Sequence, residues 1–155
     1  MVIRRIISGA QTGADRAALD AALDAGVRVG GWVPKGRMAE DGRIPEHYPG
    51  LRETPADDYE TRTRWNVRDS DATLILSHGP LTGGSKLTET IARSTGKPVF
   101  HLDLTGVSAS EAVTAIRAWL SRLDGDTLNV AGPRATGDPA IYEEARETVR
   151  LLLQA

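Results

Sequence analysis

Three stretches of this chain join glycine to hydroxyl and cationic side chains at the ends of short apolar runs. Ser8-Gly9-Ala10-Gln11-Thr12-Gly13-Ala14-Asp15-Arg16 closes the run VIRRIIS; His78-Gly79-Pro80-Leu81-Thr82-Gly83-Gly84-Ser85-Lys86 follows ATLILS; Gly132-Pro133-Arg134-Ala135-Thr136-Gly137-Asp138-Pro139 follows DTLNVA. Glycine lets the backbone approach a ligand closely and adopt positive φ, Thr and Ser supply hydroxyl donors, and Arg and Lys supply charge. A turn of this kind that opens a helix leaves the N–H groups of the first turn free for an anion. The chemistry to expect is the binding of a phosphate-like group.

Capping explains part of this pattern. Thr12 with Asp15 reads as a capping box, and Asp138-Pro139 as an N-cap followed by proline at the first helical position. Two other helix starts serve as internal controls. Thr54-Pro55 with Asp57, and Ser108 with Glu111, carry the same capping chemistry without a glycine-rich run straight out of a convincing strand. Capping alone therefore does not demand the extra glycines, and three such junctions on one rim point to a shared site.

Other chemistries have little support. No GxxxxGK[ST] loop is present, and GAQTGA is GxxxGA rather than GxGxxG, so neither Walker-type hydrolysis nor ordinary dinucleotide binding is expected. His47, His78 and His101 lack metal-ligand spacing, and no structural metal is expected. No Ser-His-Asp order with a nucleophile elbow occurs. The absence of Cys removes disulfides, thiolate zinc sites and sulfur nucleophiles together.

The elements that would carry these junctions alternate. Runs at 2–8, 27–32, 72–77, 98–104 and 126–131 read as strands, several of them continuously apolar, as strands covered on both faces should be. Helical patterns span 12–25, 55–68, 84–95, 108–122 and 139–153; Val113, Ile116, Leu120, Leu123 and Ile141, Ala145, Val149, Leu152 form apolar stripes. This is the grammar of an α/β fold: one Rossmann-like three-layer sandwich over residues 1–155, with a mostly parallel sheet of about five strands and right-handed crossovers. In such sheets ligands bind beyond the carboxyl ends of the strands, where the three junctions fall. The stretch 33–54, rich in Gly, Pro and charge, shows neither period and is expected to be a long loop covering the ligand.

Composition fits an ordinary folded domain: 155 residues, 40% apolar and 16 Gly. Nineteen Lys and Arg against 21 Asp and Glu leave a net charge of −2, so a protein held on nucleic acid by counterion release is not expected. The opening MVIRRIISGAQ has no apolar core of a signal peptide and no membrane span is expected, which makes a cytoplasmic setting the default expectation. Trp65 and Trp119 fall near exposed helical surfaces and are candidate anchors of a homo-oligomer.

Taken together, ISGAQTGADRAALDAAL, RTRWNVRDSDATLIL, GPLTGGSKLTET, GKPVF and NVAGPRATGDPAIY resemble the putative molybdenum carrier family, regarded as a circularly permuted branch of the SLOG-type Rossmann-like proteins. The likeness covers nearly the whole chain. It implies a domain that binds and carries molybdenum cofactor, a molybdopterin-type molecule, or another nucleotide-like ligand, and oligomerises as a dimer or tetramer.

A more distant resemblance runs to the lonely-guy phosphoribohydrolases, which cleave the N-glycosidic bond of nucleoside monophosphates. Their PGGxGTxxE signature is similar to Thr82-Gly83-Gly84-Ser85-Lys86-Leu87-Thr88-Glu89, and their helix arginine falls on Arg62. The resemblance implies, as an alternative to the carrier role, hydrolysis with Glu89 as the catalytic acid and Arg62 orienting phosphate. Thr82 replaces the family's Pro, Lys86 stands where the third Gly belongs, and Glu89 arrives one residue early, a turn of about 100° around a helix. Arg62 also has a geometric argument of its own. It lies nine residues before Asp71, so its helix raises it about 13 Å, while a six-residue strand climbs about 20 Å; a long side chain spans the difference. A surface pair with Asp58 is the competing placement.

The expected phosphate-binding set is then Gly9, Gln11, Thr12, Gly13, Asp15 and Arg16 from the first junction, with Thr82, Gly83, Gly84, Ser85, Lys86 and Thr88 from the second. Arg134 from the third joins Arg62 and Lys86 as counter-charges to a phosphorylated small molecule.

Overall fold

A computed structural model describes residues 1–154. In chain order the elements are β1 (Arg5–Ile7), α1 (Ala14–Asp24), β2 (Arg28–Val33), β3 (Met38–Ala39), β4 (Gly42–Arg43), β5 (Leu51–Glu53), α2 (Tyr59–Arg68), β6 (Ala72–Ser77), α3 (Gly83–Ser94), β7 (Val99–Asp103), α4 (Ala109–Leu120), β8 (Thr127–Ala131) and α5 (Ile141–Leu152).

Six strands form one parallel sheet in the order β5-β2-β1-β8-β6-β7. The last strand of the chain thus lies near the middle. Ile6 of β1 is registered with Leu128 of β8, and Leu74 of β6 with Val130. Every residue of β6 is buried, the burial expected of a strand with helices on both faces. On one face α1, α4 and α5 pack together over Ile6, Leu74 and Leu128; on the other α2 and α3 enclose Val67, Ile91 and Ala92. The architecture is the expected Rossmann-like three-layer sandwich, with one strand more than the pattern showed.

Both apolar stripes face the core: Val113, Ile116 and Leu120 of α4, and Ile141, Ala145, Val149 and Leu152 of α5, are buried; Leu123, expected to continue the first stripe, lies past the end of α4 and packs against the core only partly buried. Fully burying one such side chain contributes roughly 1.5–3 kcal/mol, so these helices are held by packing more than by propensity. Trp65 and Trp119, expected as interface anchors, are half-buried within the chain itself. Trp65 stands edge-on to Trp32 at 4.7 Å, and Trp119 lies 5.4 Å from Phe100. Among the described residues no helix is long and apolar enough to cross a membrane.

Three helix starts differ from expectation. α1 begins after Gly13, because the Thr12 hydroxyl is turned to Glu40 and no capping box forms. α2 begins four residues later than the pattern placed it: Thr54 Oγ1 bonds the Ala56 carbonyl, and Asp58 is the N-cap. α5 starts after Ala140, leaving Asp138 free to meet His78. The box at Ser108 and Glu111 forms as expected.

The stretch 33–54 is not the structureless loop expected. It contains the β3–β4 hairpin and the edge strand β5, and it buries Ala39, Ile44 and Tyr48 in the main core. The Tyr48 hydroxyl donates to Asp20 of α1 at 2.6 Å. The segment is a packed strap.

Candidate functional site

A cavity of about 360 Å³ opens beyond the carboxyl ends of β1, β8 and β6. Its size falls in the range of small-molecule sites, and it sits where the sheet's helices leave toward opposite faces, α1 to one side and α3 to the other. All three glycine-rich junctions line it. Gly9, Gln11 and Asp15 come from the first; Thr82, Gly83, Gly84, Ser85 and Thr88 from the second; Gly132, Arg134, Thr136 and Gly137 from the third.

One glycine lets two of these loops close on one another, and a second admits a side chain from α2. At Gly13, with φ of 81°, a Cβ would lie 2.3 Å from the Pro133 carbonyl oxygen, so only a residue without one lets the first and third junctions touch. The Ala14 N–H donates to that carbonyl at 3.2 Å, and Thr12 Oγ1 accepts the Ala135 N–H at 3.1 Å. A Cβ on Gly9 would stand 1.7 Å from Nη1 of Arg62. Between them Ala10 holds φ of 56°, a left-handed conformation uncommon outside glycine, with its N–H on Ser8 Oγ.

Arg62 crosses from α2 into this corner and is 9% exposed. Its Nη1 donates to the Gly9 carbonyl at 2.9 Å and stands 3.7 Å from Oδ2 of Asp15, an ion pair longer than a hydrogen bond. Its Nε is buried with no partner. Burial lowers the arginine's pKa against the pull of Asp15. Buried donors are normally satisfied, so the orphan Nε marks a place for an acceptor. The pairing with Asp58 does not occur; Asp58 caps its own helix.

Asp15, 6% exposed, is the one carboxylate lining the cavity among the described residues. Burial pushes its pKa up to about 6, although Arg62, the Gln11 N–H bond and Arg134 pull the other way. Across the cavity α3 begins at Gly83 with Thr82 as N-cap and no side-chain cap bond. The first-turn N–H groups of Gly83, Gly84 and Ser85 have no earlier helical carbonyl to use, and a Cβ on Gly84 would meet nothing within 4 Å. The helix terminus adds partial positive charge at the same spot. Arg134 supplies a second guanidinium; its Cζ lies 4.8 Å from the Tyr59 ring, whose centre is also 5.2 Å from that of Arg62.

The other expected residues serve the walls. Gln11 accepts the N–H groups of Thr12 and Glu40 through Oε1. Arg16 points away, bidentate on Asp41 at 2.6 and 2.8 Å. Thr88 spends its hydroxyl on the Gly84 carbonyl. Lys86 and Glu89 do not line the cavity: they pair at 2.8 Å, Arg93 joins Glu89 at 3.5 Å, and the Lys86 hydrogen bond, more than Arg93, holds the Glu89 carboxyl below its usual range. The one-residue shift of Glu89 thus turns it from the site.

Glu40, at the tip of the β3–β4 hairpin, ties the first and third junctions. Its carboxylate accepts from the Thr12 hydroxyl, the Thr136 N–H at 3.3 Å and the Thr136 hydroxyl at 2.6 Å, and these bonds lower its pKa. The strap therefore braces the cavity wall and does not line it. His78 ties the second junction to the third, with Nδ1 2.5 Å from Asp138 and Nε2 2.6 Å from Glu144. Two acceptors demand two ring N–H donors, so the bridge favours imidazolium and the His78 pKa rises, the Glu144 bond contributing most.

Four residues of α2 line the cavity at helical spacing: Tyr59, Arg62, Thr63 and Asn66. Their common helical face, 59, 62, 63 and 66, is the signal that the sequence offers for them, and it marks a face without showing that a cavity lies against it. Asn129, a polar residue inside the buried run of β8, also lines it and donates to Thr73 Oγ1 at 3.2 Å.

The chain is similar to a crystal structure of a putative molybdenum carrier protein from Syntrophus aciditrophicus SB. Sequence identity is 52%, the likeness covers 99% of this chain and 96% of that one, and the TM-score is 0.95. None of the curated proteins matches it. The model of the circularly permutated YpsA SLOG family matches residues 6–153. With that span nearly the whole chain, the protein belongs to the circularly permutated YpsA SLOG family.

Proposed function

We propose that this protein binds and carries a phosphorylated heterocycle. The observation that carries the reading is the buried guanidinium of Arg62, its Nε unpartnered, lining the same cavity as the uncapped start of α3. A phosphate set between them would draw on the charge of the Arg62 guanidinium, take the free N–H groups of Gly83, Gly84 and Ser85, and gain the charge of Arg134. The heterocycle would lie toward Tyr59, Leu87 and Val130, with Asn129 at its edge; the Asn66 amide is spent on the N–H and carbonyl of Trp32.

Molybdenum cofactor is the candidate that the related carrier's name supports. The donor set suits a phosphate-bearing pterin: cationic and hydroxyl groups for the phosphate, the Asn129 amide for a ring edge. A carrier role is preferred over N-glycosidic hydrolysis because Glu89, the acid that hydrolysis would assign, is engaged with Lys86 and Arg93 outside the cavity. A homo-oligomer remains part of the reading and is tested by light scattering.

Calorimetry with molybdopterin and a panel of nucleoside monophosphates tests the proposal. Binding by the wild type and a loss of roughly tenfold or more in Arg134→Gln is expected, from the loss of one charge-assisted contact. No binding of any member would overturn it. Mass spectrometry of small molecules that copurify with gently isolated protein would name the ligand.

A further inference from the structure

Arg62 stands between two claims. In the free protein its guanidinium balances the carboxylate of Asp15, yet at 3.7 Å the contact is loose, and Nη1 is directed to the Gly9 carbonyl instead. Asp15 itself receives one backbone hydrogen bond, 3.3 Å from the Gln11 N–H, and is otherwise enclosed. Both groups line the cavity that would receive the anion.

Resting on the anion-binding reading above, we propose that Arg62 changes counter-ion on ligand entry, from Asp15 to the bound anion, and that Asp15 takes up one proton from solvent as it does so. The argument is electrostatic. The arriving anion draws on the positive charge that makes a buried carboxylate tolerable, and it adds a like charge in the same low-dielectric space. A carboxylate deprived of its partner under those conditions neutralises by protonation. Arg134 and Arg16 are the other charges that face Asp15, and both lower its proton affinity in the free state; Arg134 is also drawn to the anion, and Arg16 is held by Asp41. Burial already pushes the Asp15 pKa up to about 6 in the free protein, and losing its counter-ion to an anion should raise it by about two units more, enough to carry the exchange across the neutral range with most of one proton taken up.

The sign of the linkage follows. Protonated Asp15 leaves the cavity more positive, so affinity for an anion that does not itself titrate is highest in acid. It falls as pH rises through the free-state value, by up to about tenfold per unit where one proton is linked.

Sulfate is the probe, since it stays dianionic throughout and brings no titration of its own. Calorimetry from about pH 5 to about pH 8, in two buffers of different ionisation enthalpy, reads the protons taken up per sulfate bound. We expect uptake approaching one proton in the wild type, a flat pH profile with no uptake in Asp15→Asn, and tighter binding by that variant than by wild type at the upper end. His78→Gln, which removes the imidazole that bridges Asp138 and Glu144, should keep the uptake. Sulfate binding without proton uptake in the wild type would overturn the exchange while leaving the anion site standing. Uptake that persists in Asp15→Asn, or disappears in His78→Gln, would overturn it as well. Absence of sulfate binding at every pH would overturn the anion site itself.

Discussion

The guanidinium of Arg62 reaches the carbonyl of Gly9, 53 positions earlier in the chain, at 2.9 Å. This single contact joins the helix on one face of the sheet to the first turn after β1, and it brings a buried cation to the edge of the cavity. Everything proposed for the site depends on that cation being there.

A methyl group at position 9 should therefore act as a remote mutation of Arg62. In Gly9→Ala the new Cβ would stand 1.7 Å from Nη1, and the arginine must move. Asp15 then loses part of its balance. A stability loss of roughly 1–3 kcal/mol by denaturant titration is expected, along with weaker anion binding. A variant as stable and as tight-binding as wild type would show that Arg62 has another place to go.

Glu40 should govern the mobility of the third junction. In Glu40→Ala the Thr136 N–H and both threonine hydroxyls lose their acceptor. Hydrogen exchange at the Thr136 amide should quicken by ~tenfold, while amides of β6 keep their protection. The carboxyl's pKa is lowered in the folded state, so this brace is present above the usual glutamate range and is lost as pH falls through the lowered value. Unchanged exchange would mean that the contacts between Gly13 and Pro133 suffice.

The bridge at His78 should respond to pH in the opposite sense. Its folded pKa is raised above the ordinary 6.5. Its stabilisation is therefore complete below about 6.5 and is lost as pH rises through the raised value. The gap in melting temperature between wild type and His78→Gln should be widest in mild acid and close toward alkaline pH. A gap independent of pH would contradict the charged bridge.

The sequence was most informative where one role acts alone. The stripes on α4 and α5 and the cap at Ser108 each reflect a local rule with nothing competing, and the structure shows each one, the α4 stripe ending at Leu120 where the helix stops short of Leu123. Thr12 failed as a cap because a tertiary partner, Glu40, outbid the local backbone for its hydroxyl. Strand β5 spans three residues, too short to display a period. The rim position of the three junctions was legible from the strand-to-helix grammar. Tyr59, Thr63 and Asn66 were hidden because a polar helical face looks like a solvated one until a cavity is placed against it.

The most direct test is the affinity of a phosphate monoester for wild type and Gly84→Asp, measured side by side by calorimetry. Position 84 is open, and an acid in the first turn of a helix suits its dipole, so the variant should fold normally while its carboxylate occupies the anion's place. The account predicts binding by the wild type and none detectable in the variant at unchanged melting temperature. Equal affinity in the two folded proteins would contradict it.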